Sequence, residues 1–271
     1  MKGMRYLKIY EIIDSEYRRS VGVLLYYEKI KDFIIELKDD LDEWSAPLLF
    51  TNLVKNNEYT ASRTLSYLWV KERIIPNTRQ NIGSILKTHN MESYDEMEFL
   101  ELSSGICSQD SLFIKRIDEL PEYVLERNKK NLKECIPCDD NEVLCFFNDD
   151  SVKKINLNSI SYVEGVNKIL KNELLFQSGK LGTGGYFMTF NDSIDIPSYI
   201  FYDRGKNVSL TLKDFIDFSK KNLIDTSSVC DILECTRQNI SYLVKKQELK
   251  PIKDSVRGNL FVKGDILRNI W

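Results

Sequence analysis

One histidine, His89, stands in a chain of 271 residues. A Ser-His-Asp or Cys-His mechanism would have to run through it. Yet His89 closes a helical pattern, where a side chain able to carry positive charge suits the helix dipole. Long apolar runs are missing too. The longest lies near residues 21–27, far short of the ~20 residues that span a bilayer. The opening segment MKGMRYLKIYEIIDSEYRRS has neither an apolar h-region nor a small-residue cleavage site, so no secretion signal is expected. Without one, six scattered cysteines read as free thiols in a reducing cytoplasm. Positive charge is not in excess: 38 basic and 41 acidic residues leave a formal net charge of −3. That balance alone argues against non-specific nucleic-acid binding.

Three motifs lack the partners their chemistry needs. Cys135-Ile136-Pro137-Cys138 has the spacing of a zinc or redox pair. Zinc requires a second ligand pair, and Cys145 is the only near thiol. A thioredoxin-like site needs a strand before the motif and a helix after it; here charged residues precede it and a strand follows. Gly179-Lys180-Leu181-Gly182-Thr183-Gly184-Gly185 is glycine-rich but has Leu where a P-loop supplies Ser or Thr to magnesium, and it reads as a flexible loop. The acidic run Asp39-Asp40-Leu41-Asp42-Glu43 reads as a helix start rather than a metal cluster. No catalytic residue, metal or cofactor is expected, and the chain reads as a non-enzyme.

What is present is a multidomain α+β pattern. A hydrophobic content of 42% and an aromatic content of 11% supply packed cores, and the length suits two or three domains. Residues 1–120 read as an α+β domain. Apolar stretches at 6–13, 21–27 and 33–37 form a three-stranded meander. Helical patterns follow at 44–55, 60–72, 78–89 and 94–102, with Pro76 as a breaker, and a strand returns at 111–117. Residues 121–210 read as a β-rich middle domain that opens with a helix or linker through Lys133. Strands at 142–147 and 151–155 flank the turn Asn148-Asp149-Asp150. A helix covers 160–171, and strands lie at 186–190 and 198–202. Residues 211–271 form the last domain, with a lead-in helix at 211–221.

That last domain holds the strongest signal. Residues 219–271 carry ten basic and six acidic side chains, a net of +4, which leaves −7 on the rest. Ser227 or Thr226 caps a first helix that ends near Leu233. Glu234-Cys235-Thr236 makes a turn, and Thr236 caps a second helix, 237–246. Ile240, Leu243 and Val244 face inward at helical spacing. Arg237, Gln238, Asn239, Ser241, Tyr242, Lys245 and Lys246 face outward. Arg pairs with guanine and Asn or Gln with adenine through two hydrogen bonds, so Arg237, Gln238 and Asn239 are the candidate base readers. Ser241, Tyr242, Lys245 and Lys246 suit phosphates. Segments 249–253 and 259–262 then frame a hairpin with Arg257 at its tip, where Lys253 and Arg257 add electrostatic affinity. Thr78-Arg79-Gln80-Asn81-Ile82 echoes Thr236-Arg237-Gln238-Asn239-Ile240, both at expected helix starts. The echo reads as coincidence or shared helix-start chemistry rather than a second reading head.

The segment resembles the excisionase and MerR-like winged helix-turn-helix family. The match rests on Ser228-Val229-Cys230-Asp231-Ile232-Leu233, Thr236-Arg237-Gln238-Asn239-Ile240, Gln247-Glu248-Leu249-Lys250-Pro251 and Leu260-Phe261-Val262-Lys263-Gly264-Asp265-Ile266. Ala and Gly are usual in the family where Cys230 and Glu234 stand. The resemblance implies sequence-specific binding of double-stranded DNA, often as a dimer or through cooperative neighbours. Residues 141–202 resemble a small β-rich domain fused to helix-turn-helix modules in bacterial proteins, through the run from Glu142 to Asp150 and Ile155-Asn156-Leu157. The front resembles an accessory segment found near HipA-type kinases, through Arg73-Ile74-Ile75-Pro76, Arg79-Gln80-Asn81-Ile82 and Gln109-Asp110; no kinase domain follows. The expectation is a cytoplasmic DNA-binding transcriptional regulator of a bacterium, phage or mobile element. Its N-terminal domains would serve a homodimer or a protein partner. The alternative is a protein-binding accessory factor, an antitoxin or inhibitor, acting through the acidic N-terminal body.

Overall fold

The three apolar stretches at the front of the chain pair as a meander. In a computed structural model describing residues 6–256 and 258–271 (254–256 and 258 by backbone alone), β1 (Leu7–Asp14), β2 (Arg19–Tyr27) and β3 (Asp32–Leu37) run antiparallel. The helices α1 (Thr51–Lys55), α2 (Arg63–Lys71), α3 (Ile82–Thr88) and α4 (Glu96–Leu102) precede β4 (Leu112–Ile117). That strand returns to pair with β1, giving the order β3-β2-β1-β4. α1, α2 and α4 bury side chains in the same core as the sheet, whereas α3 buries none. Trp69 of α2 and Phe50 bury completely among Leu24, Ile35 and Ile12, and the Ser66 hydroxyl accepts the Ile35 amide at 2.9 Å. Such burial of large rings dominates core energetics.

Local polar chemistry alters several expected helices. The acidic run starts no helix. Asp42 instead folds an Asx turn, accepting the Ser45 amide at 2.8 Å and the Trp44 amide at 3.1 Å. Helical structure begins only after Pro47, with a short 3-10 turn at Leu48–Phe50. The Thr78 echo also dissolves: Thr78, Arg79 and Gln80 lie in turns, and α3 starts at Ile82 behind Asn81. His89 is the residue that ends α3. Arg73 has a structural role. Its guanidinium lies 3.7 Å from the Trp69 ring centre, donates to the Trp69 carbonyl at 3.1 Å and pairs with Asp110.

Leu7–Val124 is one compact unit, and Leu125–Trp271 forms the other. The second is entered through α5 (Glu122–Asn128). Its main sheet contains β5 (Leu132–Pro137), β6 (Glu142–Phe147) and β7 (Val152–Asn156), all antiparallel. Two short helices, α6 (Val166–Leu170) and α7 (Glu173–Gln177), lead to a small sheet of β8 (Lys180–Leu181), β9 (Phe187–Phe190) and β10 (Ile194–Pro197). After α8 (Ser198–Arg204), β11 (Lys206–Asn207) completes the main sheet on β7.

The helix or linker expected from Pro121 through Lys133 is helical at Glu122–Asn128 but gives way to β5 at Leu132, where Glu134 is a buried acid within the strand. Two further expectations differ for identifiable reasons. Residues 198–202, expected as a strand, are helical: Ser198 and Phe201 bury three residues apart behind Pro197, a helical period. The glycine-rich segment, expected as a loop, holds β8 and a 3-10 turn at Thr183–Gly185. A Cβ on Gly185 would sit 2.1 Å from the Leu132 carbonyl, and its φ is +74°.

α9 (Leu212–Asn222) leads to the last part of the unit. Its capping box joins Thr211 to Asp214, and Lys154 of β7 donates to Asp214 at 2.8 Å. Led by the Lys154 hydrogen bond, these partners hold the Asp214 carboxyl down at about 2 against an ordinary 3.8, although burial opposes the shift. A depressed carboxylate stabilises the fold fully above pH 3.8 and loses that contribution as pH falls toward 2. Asp214→Ala is expected to cost about 2 kcal/mol at pH 7, the worth of such a shift. Urea midpoints should show the loss at pH 7 and not at pH 2; an equal gap at both would refute the assignment.

Candidate nucleic-acid interface

The remaining elements are β12 (Leu223–Asp225), α10 (Thr226–Leu233), α11 (Arg237–Lys245), β13 (Lys253–Val256), β14 (Gly258–Val262) and α12 (Lys263–Leu267). The strands form a sheet ordered β12-β14-β13. Val229, Ile240, Leu249, Phe261 and Ile266 bury together beneath the two helices, so one small core fixes helix pair and hairpin. Asp225, not Ser227 or Thr226, caps α10: its carboxylate accepts the Ser228 amide at 2.9 Å. Hydrogen bonds from the backbone and side chain of Ser228 hold that carboxyl below its usual range.

The turn between the helices is three residues long, Glu234 to Thr236. Glu234 adopts a left-handed conformation, φ 50° and ψ 45°, and the Cys235 amide returns to the Cys230 carbonyl at 3.0 Å. This is a Schellman-type end, which usually carries glycine at the left-handed position. Thr236 then caps α11, accepting the Asn239 amide at 3.3 Å.

Arg237, Gln238, Asn239, Ser241, Tyr242, Lys245 and Lys246 are all exposed, as are Thr236 and Lys253. Ile240 is buried and Leu243 and Val244 half-buried on the opposite side. At about 100° per residue, the outward face centres on Gln238, Tyr242 and Lys245. Arg237 and Asn239 lie on its two flanks, a distinction the sequence reading did not make. The Arg237 guanidinium donates to Ser227 of α10 at 2.7 Å. Lys246 stands 4.5 Å over the Tyr242 ring centre, and the Ser241 hydroxyl returns to the Arg237 carbonyl. Arg257 lies outside the described residues. β12, which pairs with β14 through Leu223, Ile224 and Asp225, went unread in the sequence because three residues carry too little pattern.

The other candidate chemistry lies elsewhere. All six cysteines are free thiols; Cys135 and Cys145 face each other across β5 and β6 and are buried, which pushes both thiols up. Among the described residues, no group of three or more His, Cys, Asp or Glu side chains is placed to hold a metal ion. None of the described helices is long and apolar enough to cross a membrane. No protein-family model matches the chain, and comparisons with curated proteins and solved structures gave no match.

Proposed function

We propose that the chain is a DNA-binding regulator and that residues 223–271 act as a winged helix-turn-helix. The observation that carries this reading is α11: a capped helix with a polar, basic outer face and an apolar inner face, followed by a hairpin. On this reading α11 enters the major groove, Arg237, Gln238 and Asn239 meet base edges, and Ser241, Tyr242, Lys245 and Lys246 meet phosphates. The hairpin, with Lys253 and Arg257, lies along the backbone as a wing. The net of −7 on residues 1–218 keeps contact local to this face.

Mobility shifts on the DNA upstream of the chain's own gene test the reading. Each phosphate contact contributes about 0.9 to the slope of log affinity against log salt. Lys245→Ala with Lys246→Ala should therefore flatten the slope by about 2 and weaken all sequences alike. An unchanged slope removes these lysines from the interface.

A second reading, a protein-binding accessory factor, is favoured by Trp44 and Leu48. They are 88% and 93% exposed beside the acidic turn at Asp42. A partner held through that turn would be lost on Trp44→Ala, with salt-sensitive DNA binding absent.

A further inference from the structure

Within the unit Leu125–Trp271, a half-open cavity of about 340 Å³ lies where the main sheet meets α9 and the hairpin. Its walls are Phe146, Leu210, Phe215, Phe218 and Val262. Phe146 and Phe218 meet edge to face, ring centres 5.3 Å apart. Leu210 and Phe215 remain 50% and 60% exposed, so the apolar wall runs out to the mouth. Exposed apolar side chains grouped around a concavity mark binding sites, and the volume falls in the small-ligand range of about 300–1,000 Å³.

The charged groups on the lining determine what fits. Lys133 pairs with Asp150 at 3.0 Å, and Arg268 pairs with Asp265 at 2.6 Å. Asp214 holds Lys154, and Glu134 accepts the amides of Cys135 and Gly264. Each charge already has a partner within the protein, so a charged ligand would have to break one of these pairs. A neutral ring need break none, and the phenyl walls offer offset or edge contacts to it.

We propose that this cavity binds a small neutral aromatic compound. Resting on the DNA-binding reading, the compound acts as an effector, because Val262, Asp265 and Arg268 of the hairpin module form part of the wall. A ligand there presses on the elements that carry α11.

The test uses the full chain and N-phenyl-1-naphthylamine, a neutral aromatic fluorophore. Titration without DNA should give saturable binding at one site per chain. Phe215→Ala should weaken it at least fivefold and Leu210→Trp, which fills the mouth, at least tenfold. Leu212→Ala, on the same exposed stretch but off the lining, should change it less than twofold. Non-saturable uptake, or equal loss in Leu212→Ala and Phe215→Ala, overturns the site. If the probe binds but leaves the mobility-shift midpoint within twofold, the effector role falls. Absence of any mobility shift counts against the reading head while the titration still decides the cavity.

Discussion

Glu134→Ala is expected to destabilise the unit Leu125–Trp271 by about 3 kcal/mol, since each buried donor left unsatisfied costs about 1–3 kcal/mol. Glu134 is 4% exposed on β5 and accepts two amides, from Cys135 at 3.1 Å and Gly264 at 2.6 Å. Gly264 belongs to this fit: a Cβ there would stand 2.6 Å from the Glu134 carboxyl oxygen and 2.7 Å from the Lys133 carbonyl. The effect has a pH signature. Burial pushes the Glu134 carboxyl up from 4.5, outweighing the hydrogen bonds it accepts. A raised carboxyl contributes most below the unfolded value of 4.5 and loses that contribution as pH rises through the folded one. The stability gap between wild type and Glu134→Ala should therefore be wider at pH 4.5 than at pH 8. Urea midpoints at the two values check it, and a gap that widens with pH would refute the burial argument. Asp214 behaves in the opposite sense, so the two acids separate cleanly in one pH series.

If α11 reads DNA as proposed, Arg237→Ala with Asn239→Ala is expected to cut most of its sequence preference. A two-bond contact to a base discriminates by about 1–3 kcal/mol, so two such contacts together are worth roughly 30-fold or more. The geometry qualifies the two contributions. Arg237 must leave Ser227 before it can reach a base, and Asn239 lies on the flank of the outward face. Gln238, at the centre of that face, provides the comparison. Competition mobility shifts with matched and scrambled DNA measure all three. If the double variant keeps its preference while Gln238→Ala loses it, base reading belongs to the centre of the helix face. If all three variants keep the preference, α11 is not the reading element.

The legible parts of the sequence were those with strong period or strong caps. β1 alternates in part, β2 and β3 are nearly continuous buried apolar runs bounded by turns, α9 has its Thr211 cap, and α11 has Thr236. In each case local chemistry and burial agree. The less legible parts put polar groups where the period predicts none. Glu134 hides β5 because its partner is the Gly264 amide, 130 residues away in sequence. Ser198 and Phe201 sit in a run of aromatic and branched residues that mimics a strand, and only their burial reveals the helix. At the candidate interface the residue set was readable from helical spacing. The tether from Arg237 to Ser227 was not, since it depends on how α10 and α11 cross; the cap is a local contact of Asp225 with the Ser228 amide, where neighbouring Thr226 and Ser227 offer the same chemistry.

The hydrogen bond between Glu134 and Gly264 also bears on portability. A segment with its own core and capped helices looks transferable, able to move between proteins by recombination. Here the last helix lends an amide to the sheet, and Arg268 donates to the Lys133 carbonyl at 2.7 Å. A graft of residues 219–271 onto another body would carry donors shaped for acceptors left behind, those of Lys221 and Asn222 as well as Gly264 and Arg268. Exchange at this boundary therefore selects for hosts whose edge strand offers a buried acid at the same register.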